Sequence, residues 1–305
     1  MKINRLTAII CAAAIALSSI AASRAKRVVA FAIDGITVAA LEKASTPNID
    51  ALLADGAKST TTRVVMPSVT LPNWTSQLTG SGPEQHGVVD NSWKIDKFIL
   101  PAAETDAEGY YPSVFKVLKD NLKNVKTAFY YNWINLLYPY NQKYIDEISF
   151  LDDDAFAPNF DKAFSFVAAN SNAPTFAFIY DGHTDNTAHR HSWASDEYIK
   201  AIEETDAEIG RFVERMKQAG LYDDTYFLVL SDHGGVGKGH GGVSTDEMIV
   251  PWGISGPSIK RGFTIIEPNN TVNTGSIILY LFGVKQPLVW TGEVIQSIFK
   301  SLAHL

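Results

Sequence analysis

The hydrophobic residues of this chain fall into short uninterrupted runs, and polar stretches with helical spacing separate most of them. We predict strands at Arg27–Asp34, Thr127–Tyr131, Thr175–Tyr180, Thr225–Ser231 and Ile249–Ile254. Runs that are apolar on both faces are typical of a parallel sheet covered by helices on both sides. The pattern therefore predicts an α/β fold with a largely parallel central sheet.

Helical patterns lie between these runs, and glycine residues follow two of them. We predict helices over Thr46–Asp55, Tyr111–Asn121, Ala194–Ala219 and Asn273–Phe282. A further helix is expected to begin near Pro72, since proline favours a first helical turn. Residues 92–110 follow no regular pattern, and we predict that they form an insertion.

The first 25 residues have the pattern of a secretory signal peptide. A short basic segment is followed by an uncharged apolar run from Leu6 to Ala22, and the run ends in small residues. An uncleaved membrane anchor is the alternative. The only cysteine, Cys11, lies in this segment. We expect a periplasmic or secreted protein without a stable membrane anchor, in which residues 26–305 form one catalytic domain.

The net charge of the chain indicates which classes of partner it can bind. The formal net charge is −7, and lysine and arginine form no cluster. This composition argues against a surface that binds nucleic acid. It does not argue against a metal site, because a metal ion supplies its own positive charge.

Acidic residues and histidines follow several of the predicted strands. They are Asp34, Asp185, His189, Asp232 and His233, and His240 follows in a glycine-rich loop. Because the carboxyl ends of parallel strands meet at one edge of a sheet, we expect these side chains to converge. Each pair alone is also typical of a turn or of a helix surface. Together they indicate a metal site of the kind that zinc accepts.

A hydroxyl group stands at the start of the helix near Pro72. Thr70 precedes Leu-Pro-Asn. The start of a helix presents free N–H groups and the positive end of the helix dipole, and both attract an anion. Threonine at this position is also a common helix cap. With the acids and histidines elsewhere in the chain, Thr70 becomes our candidate nucleophile.

Several motifs resemble those of the nucleotide pyrophosphatase/phosphodiesterase branch of the alkaline phosphatase superfamily. They are Ile-Asp-Gly at 33–35, Thr-Pro-Asn-Ile-Asp-Ala-Leu at 46–52, Thr-Leu-Pro-Asn at 70–73, Leu-Thr-Gly at 78–80, Pro-Glu-Gln-His-Gly-Val-Val-Asp-Asn at 83–91, Asp185 with His189, Ser-Asp-His-Gly-Gly at 231–235 and Gly-His-Gly-Gly at 239–242. The resemblance implies an alkaline-phosphatase-like α/β/α sandwich, two zinc ions and hydrolysis of phosphodiester or pyrophosphate bonds of nucleotide-type substrates. Manganese, iron or cobalt could replace zinc.

The resemblance also implies a role for each site residue. Asp34, Asp232 and His233 would bind the metal ion that also binds the nucleophile Thr70. The second metal ion would be bound by Asp185, His189 and His240. Asn91 would hold a phosphate oxygen, and a covalent threonyl-phosphate would form on Thr70.

The substrate class depends on what surrounds the phosphoryl group. No Lys-x-Arg pair follows Asn91, which favours diesters over monoesters. Four aromatic residues could form a shelf for a nucleobase or could belong to the core: Trp93, Tyr130, Tyr131 and Trp133. A phosphomonoesterase or phosphonate hydrolase is the alternative. A sulfatase is disfavoured because Thr70-Leu-Pro-Asn lacks the residues of a formylglycine site, and a non-catalytic binding protein is disfavoured because no expected ligand is missing.

Overall fold

The computed structural model describes residues 24–152 and 154–300. Most of the predicted signal peptide, including Cys11, lies outside these residues. Within the two described ranges, no helix is both long enough and apolar enough to cross a membrane.

The described part of the chain contains one sheet of eight strands. Their order across the sheet is β4-β3-β5-β1-β6-β7-β2-β8. The strands are β1 (Arg27–Ile33), β2 (Gly56–Arg63), β3 (Lys126–Tyr131), β4 (Glu147–Phe150), β5 (Thr175–Asp181), β6 (Thr225–Leu230), β7 (Ile249–Ser255) and β8 (Phe263–Thr264). All five predicted strands are present.

The sheet is largely parallel, as predicted. Strand β1 pairs in parallel with β5 and β6, and β3 pairs in parallel with β4 and β5. Strand β7 runs antiparallel to both of its neighbours, β6 and β2. An apolar run does not encode its direction, so only the tertiary structure shows that β7 is reversed.

Helices cover both faces of the sheet. They are α1 (Val38–Lys43), α2 (Pro47–Ala54), α3 (Thr70–Thr79), α4 (Pro83–His86), α5 (Val114–Asn121), α6 (Ala157–Ala169), α7 (His183–His191), α8 (Asp196–Gln218), α9 (Thr245–Met248) and α10 (Asn273–Leu281). The four predicted helices correspond to α2, α5, α8 and α10. Helix α3 begins at Thr70, two residues before the predicted start.

Alternate residues of β1 belong to two separate hydrophobic cores. Val28, Ala30 and Ala32 face a core shared with α3, α5 and α10. Val29, Phe31 and Ile33 face a core shared with α2, α6 and α8. This period-two alternation, with every residue of β1 buried, explains why the strand is apolar throughout. The α/β/α arrangement is confirmed.

Strand β2 was missed because its sequence carries no apolar run. Gly-Ala-Lys-Ser-Thr-Thr-Thr-Arg is mostly polar, and four of its eight residues are exposed. It lies near one edge of the sheet, beside the two-residue strand β8. A strand with one covered face needs fewer apolar side chains than a central one.

Candidate active site

Three neighbouring strands bring the predicted ligands to one edge of the sheet. Asp34 directly follows β1, and Asp232 with His233 follows β6, which is the adjacent parallel strand. On the other side of β1, β5 leads into helix α7, which carries Asp185 in its first turn. The backbone N–H of Gly35 donates to Asp232 Oδ1 at 3.1 Å and links the ends of β1 and β6.

The first group of site residues surrounds the imidazole of His233. Its Nε2 atom lies 3.3 Å from Asp34 Oδ1 and 3.3 Å from Asp232 Oδ2. Thr70 Oγ1 lies 3.2 Å from the same nitrogen. One ligand atom from each of Asp34, Asp232 and His233 lies within 4.8 Å of the others, and all three residues are buried.

The second group is centred on Asp185. His189 Nε2 lies 3.3 Å from Asp185 Oδ2, and His240 Nε2 lies 3.9 Å from Asp185 Oδ1. The ring of His233 also stacks on that of His240, with centroids 3.7 Å apart. The compact set of three ligand atoms here is Asp185, His233 and His240. His189, which the resemblance places in this set, joins it through Asp185.

Backbone carbonyls orient all three histidines in the same way. Nδ1 of His189 lies 2.9 Å from the Lys238 carbonyl, and Nδ1 of His240 lies 3.0 Å from the Ser68 carbonyl. Nδ1 of His233 lies 2.9 Å from the carbonyl of Gly234. A carbonyl oxygen only accepts hydrogen bonds, so Nδ1 carries the proton in each ring. Nε2 is thereby directed at the carboxylates, as in rings that bind a metal ion.

Among the residues that the structure describes, three buried carboxylate oxygens at this edge of the sheet lack a hydrogen-bond donor. They are Asp34 Oδ1, Asp185 Oδ1 and Asp232 Oδ2. Each of the three faces a histidine Nε2. A buried carboxylate oxygen without a partner is costly, and a bound cation removes that cost.

The electrostatics of the edge also fit a cation. Burial raises the pKa of Asp34 well above its usual value, and the charge of Asp185 adds to the rise. Burial likewise raises the pKa of Asp232, with a contribution from Asp34. Burial also lowers the pKa of His233 to about 3, and neighbouring His240 contributes to the drop. Asp34 and Asp232 are therefore crowded acids, and the imidazole that lies against both of them, His233, is neutral.

Asp185 and His189 form an ionic pair in the absence of a cation. The hydrogen bond to Asp185 raises the pKa of His189 to about 9. Burial is the largest influence on the pKa of Asp185 and acts to raise it. The hydrogen bond from His189 and the charges of the neighbouring histidines together outweigh burial, and the net shift is downward. A divalent cation between them would take the place of the Nε2 proton.

Together the residues fit a pair of divalent cations. The donors are carboxylate oxygens, imidazole nitrogens and one hydroxyl, a set that suits zinc and is also accepted by manganese, iron or cobalt. His233 belongs to both groups of ligand atoms. Asp34, Asp232, His233 and Thr70 could hold one ion, and Asp185, His189 and His240 could hold the other.

Asn91 is fixed at the N-terminus of α3, beside Thr70. Its Oδ1 accepts from the backbone N–H of Leu71 at 2.8 Å, and its own carbonyl accepts from Asn135 Nδ2 at 3.0 Å. The amide oxygen is therefore engaged, and the amide nitrogen remains as a donor. This position suits the predicted contact with a phosphate oxygen.

Sequence reasoning missed the residues that support Asp34. Tyr180 donates from its hydroxyl to Asp34 Oδ2 at 2.5 Å, and Thr184 donates to the Asp34 carbonyl at 2.5 Å. Burial raises the pKa of Tyr180 well above its usual value, so the hydroxyl keeps its proton. A tyrosine at the end of an apolar run looks like a core residue, and no sequence signal marks it.

The four aromatic residues considered for a substrate shelf divide between core and surface. Tyr130 is fully buried and donates to Glu147 Oε1 at 2.7 Å, and Tyr131 packs on Phe129. These two belong to the core. Trp93 is also buried, whereas Trp133 is half-buried against the core.

Comparisons with known proteins agree with the geometry. Residues 28–253 match the family model of type I phosphodiesterase/nucleotide pyrophosphatase. Mouse ectonucleotide pyrophosphatase/phosphodiesterase family member 3 is 28% identical over 230 residues, which are 68% of this chain and 24% of the mouse protein. Venom phosphodiesterase 2 of Crotalus adamanteus is 23% identical over 242 residues, which are 67% of this chain and 26% of the venom protein. The chain thus spans about a quarter of these relatives' length.

Solved structures show the same fold. Murine ectonucleotide pyrophosphatase/phosphodiesterase 5, described as inactive and in complex with AMP, matches with a TM-score of 0.75 and 14% identity over 90% of this chain and 100% of that one. The human protein of the same name matches with a TM-score of 0.75 and 13% identity over the same shares of both chains. Since the family model covers most of the chain, this protein belongs to the type I phosphodiesterase/nucleotide pyrophosphatase family.

Proposed function

We propose that this protein hydrolyses phosphodiester or pyrophosphate bonds through a covalent intermediate on Thr70. One observation carries the proposal. The Thr70 hydroxyl lies 3.2 Å from His233 Nε2, beside buried carboxylate oxygens that have no hydrogen-bond donor. A hydroxyl held against a cation-binding cluster is suited to nucleophilic attack.

The residues of the chain would act in sequence on the substrate. The Thr70 hydroxyl gives up its proton to solvent and Oγ1 attacks phosphorus. The bond from phosphorus to the leaving oxygen breaks, the leaving oxygen takes up a proton from solvent, and a threonyl phosphoester remains. Water then attacks phosphorus from the vacated side, and the oxygen of Thr70 is released. Asn91 donates from its amide nitrogen to an oxygen that stays on phosphorus and holds the group in line.

Two divalent cations, zinc by the nature of the ligands, would supply positive charge that lowers the pKa of a hydroxyl and neutralises oxygen charge in the transition state. The ligand roles follow the two groups of side chains described above. In this proposal the carboxylates of Asp34, Asp185 and Asp232 hold the ions, and the carbonyl-bound histidines keep Nε2 directed at them.

Nucleotide-type substrates and export are part of the proposal. The relatives are named as ectonucleotide or venom enzymes, and a solved neighbour is in complex with AMP. The apolar N-terminal run supports export. Mass spectrometry of the mature protein should find an N-terminus between Ala22 and Ala25, and a retained Met1 would contradict cleavage.

Replacement of Thr70 tests the nucleophile. Thr70→Ala should lower kcat/KM for a nitrophenyl phosphodiester by a factor of about a thousand or more while metal content stays near normal, because the carboxylates and histidines remain. Thr70→Ser keeps the hydroxyl and is the matched control. A fully active alanine variant would remove Thr70 from the mechanism.

Replacement of Asn91 and a choice of substrates complete the test. Asn91→Ala should lower kcat by about a hundredfold, since one donor to the transition state is lost.

The value of kcat/KM should be about a hundredfold higher for the diester than for the matching monoester. Preference for the monoester would favour the alternative, a phosphomonoesterase on the same scaffold.

A further inference from the structure

The glycine-rich loop of residues 234–242 lies against the C-terminal end of helix α7. The backbone N–H of Trp193, two residues after this helix, donates to the Gly237 carbonyl at 2.8 Å. Lys238 Nζ donates to the Arg190 carbonyl at 2.6 Å. These two bonds join the loop to the helix, and each of the two segments carries one histidine of the second ligand group.

The buried indole of Trp193 packs against both of these histidines. Its ring meets His189 edge-on, with centroids 5.1 Å apart, and meets His240 at a steep angle, with centroids 5.8 Å apart. Aromatic rings attract one another in such arrangements. A Cβ at Gly235 would lie 2.3 Å from an atom of the indole. The loop therefore approaches Trp193 so closely that glycine is required there.

His189 is the most exposed of the three histidines of the site. Its side chain is 41% exposed, against 9% for His240 and 0% for His233. An exposed ring that must adopt one orientation to bind an ion loses side-chain freedom, and this loss opposes binding. The Lys238 carbonyl fixes one nitrogen of the His189 ring, and Trp193 contacts the ring from the protein side.

The far end of the indole is anchored beside Asp34. Trp193 Nε1 donates to the carbonyl of Gly35 at 2.8 Å, and the Tyr198 hydroxyl donates to the same oxygen at 2.7 Å. The Gly35 carbonyl would therefore keep a donor if Trp193 were replaced. What Trp193 alone supplies here is the ring that lies against the two histidines.

We propose that Trp193 is a positioning residue that holds the rings of His189 and His240 in the orientation that binds the second divalent cation. The inference rests on the proposed function, because it takes these two histidines as metal ligands. Ligands that packing already holds in place lose less freedom when the ion binds, so the protein binds the ion more tightly.

The zinc affinity of Trp193→Leu tests the proposal. In competition with a chelating dye, the wild type should bind two zinc ions, and the variant should bind one of them about 10- to 100-fold more weakly. Trp193→Met replaces this variant should it fail to fold. Wild-type affinity for both ions in a folded variant would overturn the proposal.

The matched control is Trp290→Leu, or Trp290→Met beside Trp193→Met. Trp290 is also buried, and its Nε1 donates to the Pro112 carbonyl at 3.2 Å, but its ring lies against Gly80 and Gly275 and not against the histidines. This control should lose stability and keep both zinc affinities. Equal losses of zinc affinity at the two tryptophan positions would overturn the proposal.

Two variants that each keep one group of ligands show which ion is affected. In Asp34→Asn the second group remains, and adding Trp193→Leu should weaken the remaining zinc ion by the same 10- to 100-fold. In Asp185→Asn the first group remains, and the added substitution should change zinc affinity by less than about threefold. The reverse pattern would overturn the assignment of Trp193 to the second ion.

The conservative variant Trp193→Phe separates the ring from its hydrogen bond. It keeps an aromatic ring and loses the indole N–H, while Tyr198 still donates to the Gly35 carbonyl. We expect a zinc affinity within about threefold of the wild type. An affinity as low as that of Trp193→Leu would overturn positioning by the ring.

Amide hydrogen exchange judges the proposal if the wild type binds fewer than two zinc ions, an outcome that would contradict the two-ion part of the proposed function. In the loop, the Val236 and Gly239 N–H groups donate to each other's carbonyls at 2.9 and 3.1 Å. In metal-free Trp193→Leu these amides should exchange at least about tenfold faster than in the wild type, and in Trp290→Leu they should not. Equal exchange rates in Trp193→Leu and the wild type would overturn the proposal.

Discussion

Two buried carboxylates stand side by side at the ends of neighbouring strands, and their surroundings differ. Asp181 is the last residue of β5, and Asp34 follows β1. The backbone N–H of Asp34 donates to the Asp181 carbonyl at 3.0 Å. Asp181 accepts from the His183 N–H at 2.8 Å on one oxygen and from Thr205 Oγ1 at 2.5 Å on the other. Asp34 has a donor on Oδ2 alone, and Oδ1 faces His233.

Two buried histidines also differ in what surrounds their Nε2 atoms. His86 has a hydrogen-bond partner on each ring nitrogen, and burial lowers its pKa to about 3. His233 is equally buried, but its Nε2 faces two carboxylates and the Thr70 hydroxyl. Burial alone therefore does not identify a ligand. A buried carboxylate oxygen that lacks a donor and faces a histidine Nε2 marks a candidate ligand.

The largest expected effect is that of Asp34→Asn. The amide can still accept from Tyr180 and can donate to His233 Nε2, so we expect the metal-free protein to be at least as stable as the wild type. Turnover should fall by about a thousandfold, because a ligand that supports several kcal/mol of charge stabilisation is lost. Thermal melts with and without chelator measure the stability, the rate of substrate hydrolysis measures the turnover, and metal analysis measures the bound metal. Wild-type metal content in this variant would contradict the assignment of Asp34.

Asp181→Asn should have a smaller effect, on stability and not on metal binding. Burial raises the pKa of Asp181 to about 6 from an ordinary 3.8, although bonds from Thr205 and His183 oppose the rise. Between these pH values the native state binds more protons than the unfolded state, so stability falls as pH rises and the loss is complete above pH 6.

The amide removes this pH dependence. It can donate to Thr205 Oγ1, which can still donate to the Ala201 carbonyl at 3.1 Å. At pH 8 the metal-free variant should therefore unfold with a free energy up to about 3 kcal/mol higher than the wild type, and the gain should vanish below pH 4. Urea denaturation at the two pH values measures it. A lower stability at pH 8, or lost metal, would show that Asp181 resembles Asp34 after all.

The smallest effect is expected for Tyr180→Phe, which removes the donor on Asp34 Oδ2. Loss of such a supporting hydrogen bond should weaken zinc affinity by about 10 to 100-fold, while kcat at saturating zinc changes little. Competition with a chelating dye measures the affinity.

A matched control is Tyr198→Phe. Tyr198 is also buried, but it donates to the Gly35 carbonyl at 2.7 Å and not to a carboxylate. We expect this control to retain wild-type zinc affinity. Equal losses in the two variants would assign the effect to general packing.

The sequence predicted the elements whose apolar residues are buried on both faces. Strands β1, β3, β5, β6 and β7 followed from uninterrupted runs, because a central strand between two helical layers needs apolar side chains on each side. Strand β2 was not predicted because a strand near the edge of a sheet can consist mainly of polar residues. The ten-residue helix α3 begins at Thr70 itself, so the candidate nucleophile lies on the first turn and not before it.

The sequence by itself determined which residue types stand at the ends of the strands, and parallel pairing brings such ends to one edge. Only the tertiary structure decided which carboxylate oxygens lack a donor, that His233 belongs to both groups of ligand atoms, and that Tyr180 supports Asp34. The partners in these contacts lie far apart along the chain; Asp34 and Tyr180 are 146 positions apart. Local patterns encode burial and backbone conformation, whereas the pairing of each polar atom depends on which distant segments fold against it.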